Sequence, residues 1–289
     1  MRKITLFLLC SLFILSTKTA SAQDRFFAFT SQSNVIPKGT RSLELWYAKK
    51  SGGQVFFNGN YTRIGLKMGL GKNVLSAFYA NLSTEALVPT EIDHTNKKVR
   101  MYGALTKTTD ISFTNELKVK ILDPVANPIG LAINNEITLG SQFMRITPRL
   151  ILDKRVGRNF FDFNFLAEIE KRWESESNGD VMTTQAPVVT SEVEIPFELS
   201  MGYMRFLKGD KVGFGFEVRN HNEIFKGVGL EHSVVFLGPA LHLQDDKWFF
   251  NITALSQLGN LHKSWIAPES KVLDEHQNFE LRTSLGFIF

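Results

Sequence analysis

Along this chain charged side chains recur at every second position, while apolar ones fill the alternate set. One parity carries Glu44, Arg63, Lys67, Glu116, Lys118, Glu136, Arg145, Arg149, Glu168, Glu170, Arg172, Glu194, Glu198, Glu217, Arg219, Glu280 and Arg282. Acids and bases are nearly matched there, and charges held in a space too narrow to hydrate each freely pair into ladders. Two roles fit this pattern. The carboxylates of Glu168, Glu170, Glu194 and Glu198, set against the guanidiniums of Arg145 and Arg149 on neighbouring strands, can line a passage that selects a polar solute. A salt-bridged filling that only supports the walls would use the same residues, and a nearly neutral lining discriminates poorly by charge.

Other reactive groups fall short of a site. His232 and Ser233 are adjacent on an expected strand, where neighbours point to opposite faces, so they cannot be the base and nucleophile of a hydrolase. Ser256 and Asn251 are cross-strand alternatives that no spacing selects. His94, His221, His262 and His276 fall in expected loops without ligand spacing and read as solvated histidines, so no metal is assigned. Residues 65–73 have the glycines and the lysine of a phosphate loop, but the spacing is off by one and Asn73 replaces the required hydroxyl. No catalytic residue and no cofactor is expected, and the chain is not read as an enzyme.

The elements that position the charges are strands. In residues 278–289, Phe279, Leu281, Leu285, Phe287 and Phe289 share one parity, and Glu280, Arg282, Ser284 and Gly286 share the other. The same two-residue period predicts strands over 41–50, 60–70, 74–82, 113–121, 129–139, 144–153, 161–173, 193–203, 212–219, 230–243 and 248–258. No helical period of 3.6 residues runs through any of them. Trp46, Trp173, Trp248 and Trp265 stand near expected strand ends or loops, as girdle residues at a membrane interface would.

The first 22 residues have a basic start (Arg2, Lys3), an apolar run over 4–15 and Ala20-Ser21-Ala22 before Gln23, the order of a cleavable secretory signal. Cys10 lies inside that run, so the mature chain is expected to have neither a disulfide nor a thiolate ligand. Loss of Arg2, Lys3 and Lys18 brings the 33 Lys+Arg close to the 29 Asp+Glu, so the formal charge is no nucleic-acid footprint. Beyond the signal no apolar stretch approaches the roughly 18 residues of a spanning helix. A mature chain that crosses a membrane must do so as strands.

Aromatics make up 12% of the residues, 25 of them Phe, and the apolar parity is greasier than a single-layer sheet in water tolerates. A secreted β-sandwich shares the alternation, but such domains seldom sustain it over strands this long. Lipid cannot satisfy an open sheet edge, so the sheet must close on itself. Bacterial single-chain barrels have an even number of strands. Twelve result if residues 83–111 form one external excursion with a small hairpin of its own. Fourteen result if that hairpin and residues 26–30 are counted. Turns at Asn73, Pro124, Val156, Gly209 and Asp245 then fall on the periplasmic side, and long segments around Thr95, Asp180 and Leu261 fall outside. The expected division is a signal peptide over 1–22, a periplasmic segment over 23–39 that could instead fold into the barrel mouth, and an all-β transmembrane antiparallel barrel over 40–289.

With these residues in view, the chain resembles the outer-membrane β-barrels of Gram-negative bacteria. The likeness rests on Ala20-Ser21-Ala22, the repeated hairpins and the terminal Leu285-Gly286-Phe287-Ile288-Phe289. It implies that Phe287 and Phe289 are what the barrel-assembly machinery recognises. Ile36-Pro37-Lys38-Gly39 and the 65–79 hairpin are similar to uncharacterised porin-like families grouped with phenol meta-pathway transport. A monomeric passive channel or transporter in the cell outer membrane is expected, with membrane lipids, the assembly machinery and a small solute as partners and no nucleic acid. The alternative is a non-conducting structural barrel that presents its outer loops. A barrel lipid hydrolase ranks below both.

Overall fold

The computed structural model describes residues 25–88, 90–93, 98–101, 104–175, 189–194, 196–225, 229–264, 267, 269–273 and 276–289. The expected signal over 1–22 lies outside these. Within them the chain forms β1 (Arg41–Ser51), β2 (Phe57–Gly69), β3 (Val74–Leu87), β4 (Thr90–Asp93), β5 (Lys98–Met101), β6 (Thr106–Leu122), β7 (Gly130–Gly140), β8 (Phe143–Val156), β9 (Asn159–Ala167), β10 (Ile169–Ser175), β11 (Val189–Glu194), β12 (Phe197–Phe206), β13 (Val212–Phe225), β14 (Gly229–Asp245), β15 (Trp248–Lys263) and β16 (Phe279–Ile288).

All the pairings are antiparallel, and they close a ring. β1 pairs with β2 on one side and β16 on the other, while β8 pairs with β9 and β9 with β12, which joins the two ends of the sheet. The result is a twelve-strand barrel. The continuous strand expected over 161–173 is β9 and β10, interrupted at Glu168. That over 193–203 is β11 and β12, interrupted beside Pro196, whose carbonyl accepts from the Glu168 amide at 2.9 Å. Proline has no N–H to give the ladder, so the break falls where one is missing. The extra hairpin of the fourteen-strand alternative exists, but β4 and β5 pair only with each other in a separate sheet.

The turns at Asn73, Pro124, Val156, Gly209 and Asp245 all lie at the end where β1 starts and β16 stops, hereafter the terminal end. Several strands overrun the bilayer at the other end. A spanning strand needs about 9–11 residues, whereas β6 has 17, and its first residues, Thr106 to Ile111, are exposed.

Parity sorts the two faces as the sequence predicts. On β1, Leu43 and Leu45 are exposed while Ser42, Glu44 and Ala48 are buried. On β16, Phe279 and Phe287 face out and Glu280 and Ser284 face in. The seam between β1 and β16 is bonded to the last residue: Arg41 N donates to Phe289 O and Phe289 N to Arg41 O, each at 2.9 Å.

Inside the wall, glycines make room for large neighbours. A Cβ on Gly65 would lie 2.0 Å from the Tyr79 ring, its cross-strand partner. Gly65→Val should therefore lower unfolding free energy by about 1–3 kcal/mol through overpacking. Urea titration of the barrel refolded in detergent checks this, and an unmoved midpoint would show that the ring does not rest on that glycine.

Candidate functional site: a filled lumen

The interior is built from inward parities of all the wall strands, and the chain's own N-terminal segment occupies part of it. Residues 23–39 are expected either in the periplasm or folded into the barrel mouth, and the structure shows the inward fold for the described part of the segment. Phe27, Ala28, Thr30, Ser31, Gln32 and Ser33 are all fully buried within the barrel. The physical reason is that lumen carboxylates and amides satisfy the segment's backbone. Thr30 N donates to Glu217 Oε1 at 2.6 Å, Ser31 N to Asn164 Oδ1 at 2.8 Å, and Ser33 N to Asp153 Oδ2 at 2.6 Å. Lys118 Nζ donates to the carbonyls of Gln32 and Asn34 at 3.1 and 3.3 Å, and Arg149 Nη1 donates to Ser31 Oγ at 2.8 Å. Phe26 packs edge-on against Phe160, Phe206 and His242, with centroids 5.0, 4.9 and 5.3 Å apart. Phe27 lies over Gly202, where a Cβ would come within 2.7 Å of its ring. Ile36 joins Leu75, Ala77 and Tyr79 before the chain turns at Gly39 into β1.

The segment changes which charges pair. Arg145 meets Glu168 and Glu170 as expected, with Arg172 closing on Glu170. Arg149 does not join them, because it is bound to the segment. Glu198 pairs with Arg219, not Arg145, and Arg219 also reaches Glu280, which Arg282 grips from the other side. Lys67 is matched to Glu44 at 2.9 Å with both side chains fully buried, and Arg63 to Glu136 at 3.1 Å. Glu116 accepts from Tyr79 and Asn134, and Glu217 accepts from the segment and Thr253. The Glu194 side chain lies outside the described residues. Sequence reading missed Asp153, Asp162 and Asn164 as anchors; their inward parity was legible, but nothing local to them announced a partner from the N-terminus.

Trp46 is also placed differently. It is not a girdle residue but a buried lumen residue, with the Arg25 guanidinium 4.0 Å above its ring and Nε1 donating to Glu44 Oε2 at 3.0 Å. Trp173 and Trp248 are exposed on the outer wall, and Trp265 lies outside the described residues.

At the end opposite the termini, described residues between β15 and β16 fold onto the inner wall. Ala267 and Val272 pack inward against Val234, Phe236 and Leu255, and Gln257 Nε2 donates to the Val272 and Gln277 carbonyls at 3.1 and 3.2 Å. A cavity of about 400 Å³ remains beside this fold, lined by Lys50, Phe57, Glu85, Arg219, His221 and His276 among others. The histidines expected in solvated loops separate here. His221 sits on β13, facing in, and His276 turns down from the loop onto His232. His262 is at the exposed end of β15, and His94 lies outside the described residues. Burial, with His221 and His232 beside it, holds the His276 imidazole well below its ordinary pKa and so neutral near pH 7.

Among the described residues, neither serine–histidine pairing considered from the sequence forms. His232 Nε2 is 2.8 Å from His276 Nε2, and Ser233 Oγ accepts from Asn220 at 2.9 Å. Asn251 stands between His242 and Ser284, so that imidazole does not reach that hydroxyl.

A closed twelve-strand ring with an apolar outer wall and a charged interior defines a β-barrel of the membrane-spanning type, and the solved structures that share this fold are outer-membrane barrels. It matches the COG4313 outer membrane channel from Pseudomonas putida F1 at 10% identity and a TM-score of 0.56, covering 89% of this chain and 98% of that one. It matches the translocator domain of the autotransporter NalP from Neisseria meningitidis at 10% identity and a TM-score of 0.57, covering 89% and 91%. No curated protein matches the sequence. The chain belongs to a family of unknown function, DUF6662, whose model spans residues 19–289.

Asp153→Ala removes the acceptor of both Ser33 N and Ser33 Oγ. Hydrogen bonds to charged groups contribute about 1.5–3 kcal/mol, so amides over 30–33 should exchange roughly 10- to 100-fold faster in the variant. Hydrogen exchange read by mass spectrometry checks this; unchanged protection would mean the segment is anchored elsewhere.

Proposed function

We propose that this protein is a passive outer-membrane channel for small polar solutes, closed at rest by its own N-terminal segment. The observation that carries the reading is the contrast between the two halves of the lumen. The terminal half is packed with residues 25–36 held by hydrogen bonds. The other half keeps a cavity of about 400 Å³ lined by charges of both signs. A barrel kept only for its walls has no need of a removable core with a polar chamber above it. With both signs present the chamber suits zwitterionic or neutral polar solutes better than simple ions. Catalysis is not part of this reading.

The packed segment also favours a second reading, a structural barrel that never conducts and presents its outer loops. Planar-bilayer recording separates the two. The full-length protein should give rare, small steps, and a variant lacking residues 25–36 should give steps several times larger. Arg145→Glu in that background should shift selectivity toward cations. If the deleted protein is folded and still silent, the structural reading stands instead.

Phe287 and Phe289 are proposed as the signal read by the assembly machinery. Both face outward at the closing seam. Removing Phe289 should reduce the amount of folded barrel in outer-membrane fractions severalfold, measured by the heat-dependent shift in gel mobility. Undiminished levels would assign recognition to another strand.

A further inference from the structure

The lumen gathers three histidines and a glutamate from three separate parts of the chain. Glu223 and His232 are direct cross-strand partners on β13 and β14, and His221 precedes Glu223 by two positions on the same inward face. His276 meets them from the loop that precedes β16. One ligand atom from each of the four lies within 4.8 Å of all the others. His232 Nε2 is 2.8 Å from His276 Nε2 and 3.6 Å from Glu223 Oε2.

From this geometry we infer a binding site for a divalent transition metal of the zinc class, formed by His221, Glu223, His232 and His276. The donors are imidazole and carboxylate, the set that suits Zn²⁺, Cu²⁺ and Ni²⁺ over the hard cations Mg²⁺ and Ca²⁺. A tetrahedral ion with bonds of about 2.0–2.1 Å needs ligand atoms about 3.3 Å apart, so side-chain torsions of the four residues suffice to close the set.

Two further features support it. His221 Nδ1 faces Glu198 Oε2 at 3.4 Å, the outer-shell carboxylate contact that fixes an imidazole tautomer and leaves Nε2 for a metal. The surrounding charge also tolerates a cation. Lys50 and Arg219 are close enough to oppose a cation, but Arg219 is matched by Glu198 and Glu280, and Glu280 and Glu85 also offset Lys50. Against ordinary edge-on packing of imidazoles, 4.8 and 4.9 Å between centroids, stands the convergence of nitrogen and oxygen atoms rather than ring carbons.

The bound ion ties His276 to β13 and β14 beside the chamber. This does not depend on whether the barrel conducts.

The test uses tag-free, full-length protein in detergent, stripped with EDTA and exposed to micromolar Zn²⁺. After gel filtration, close to one Zn²⁺ per chain is expected by elemental analysis. His232→Ala and His276→Ala should each weaken binding on the order of 100-fold and Glu198→Gln on the order of 10-fold, while His262→Ala leaves it unchanged. His276→Ala alters a loop residue only, so it remains informative if His232→Ala fails to fold. With Co²⁺ in place of Zn²⁺, visible absorption bands of a nitrogen-ligated ion should appear and vanish in the same variants. A folded wild-type chain that retains no metal, or a His276→Ala chain that retains as much as wild type, overturns the assignment.

Discussion

Everything in this molecule follows from the requirement that each backbone N–H and C=O in the wall find a partner where no water can supply one. An unsatisfied group in hydrocarbon costs several kcal/mol, and an open edge would present a row of them. The ring removes both edges, and the two-residue period then does the rest. With the ladders fixed, every side chain is committed either to lipid or to lumen. Leu43 and Phe287 go out, and Glu44 and Glu280 go in, without any further instruction.

The interior inherits a problem from that solution. Inward parities deliver acids and bases in quantity, and a charge left alone in a narrow, partly dry space is costly. The protein resolves this in two ways. Lys67 with Glu44, and the Glu198, Arg219, Glu280 and Arg282 ladder, are matched wall to wall. Asp153, Glu217 and Lys118 are matched instead to the backbone of the strand-less N-terminal segment, and Arg149 to its Ser31 hydroxyl. The lumen and the segment therefore complete one another.

This explains what could be read in advance. The wall strands, their outward and inward faces, the grouping of the five short turns at one end and the count of twelve follow from periods and breakers a few residues long, and these agree with the structure apart from the breaks at Glu168 and Pro196. The segment's position was not legible, because Thr30 and Glu217 are 187 residues apart and no local pattern connects them. The histidine cluster was hidden for the same reason. His221 and His232 are brought together by hairpin register, and His276 arrives from a loop whose inward fold depends on Ala267 and Val272 finding Phe236. Trp46 was misplaced because closeness to a loop was weighed above its parity with Glu44.

The reciprocal bonds between Arg41 and Phe289 also bear on biosynthesis. No nascent chain can complete the ring while its last residue is still in the ribosome, since the two margins that must meet are almost the whole polypeptide apart. A product of premature termination has two raw margins and a greasy exterior, the combination that templates aggregation. Full-length copies share that vulnerability until the margins meet.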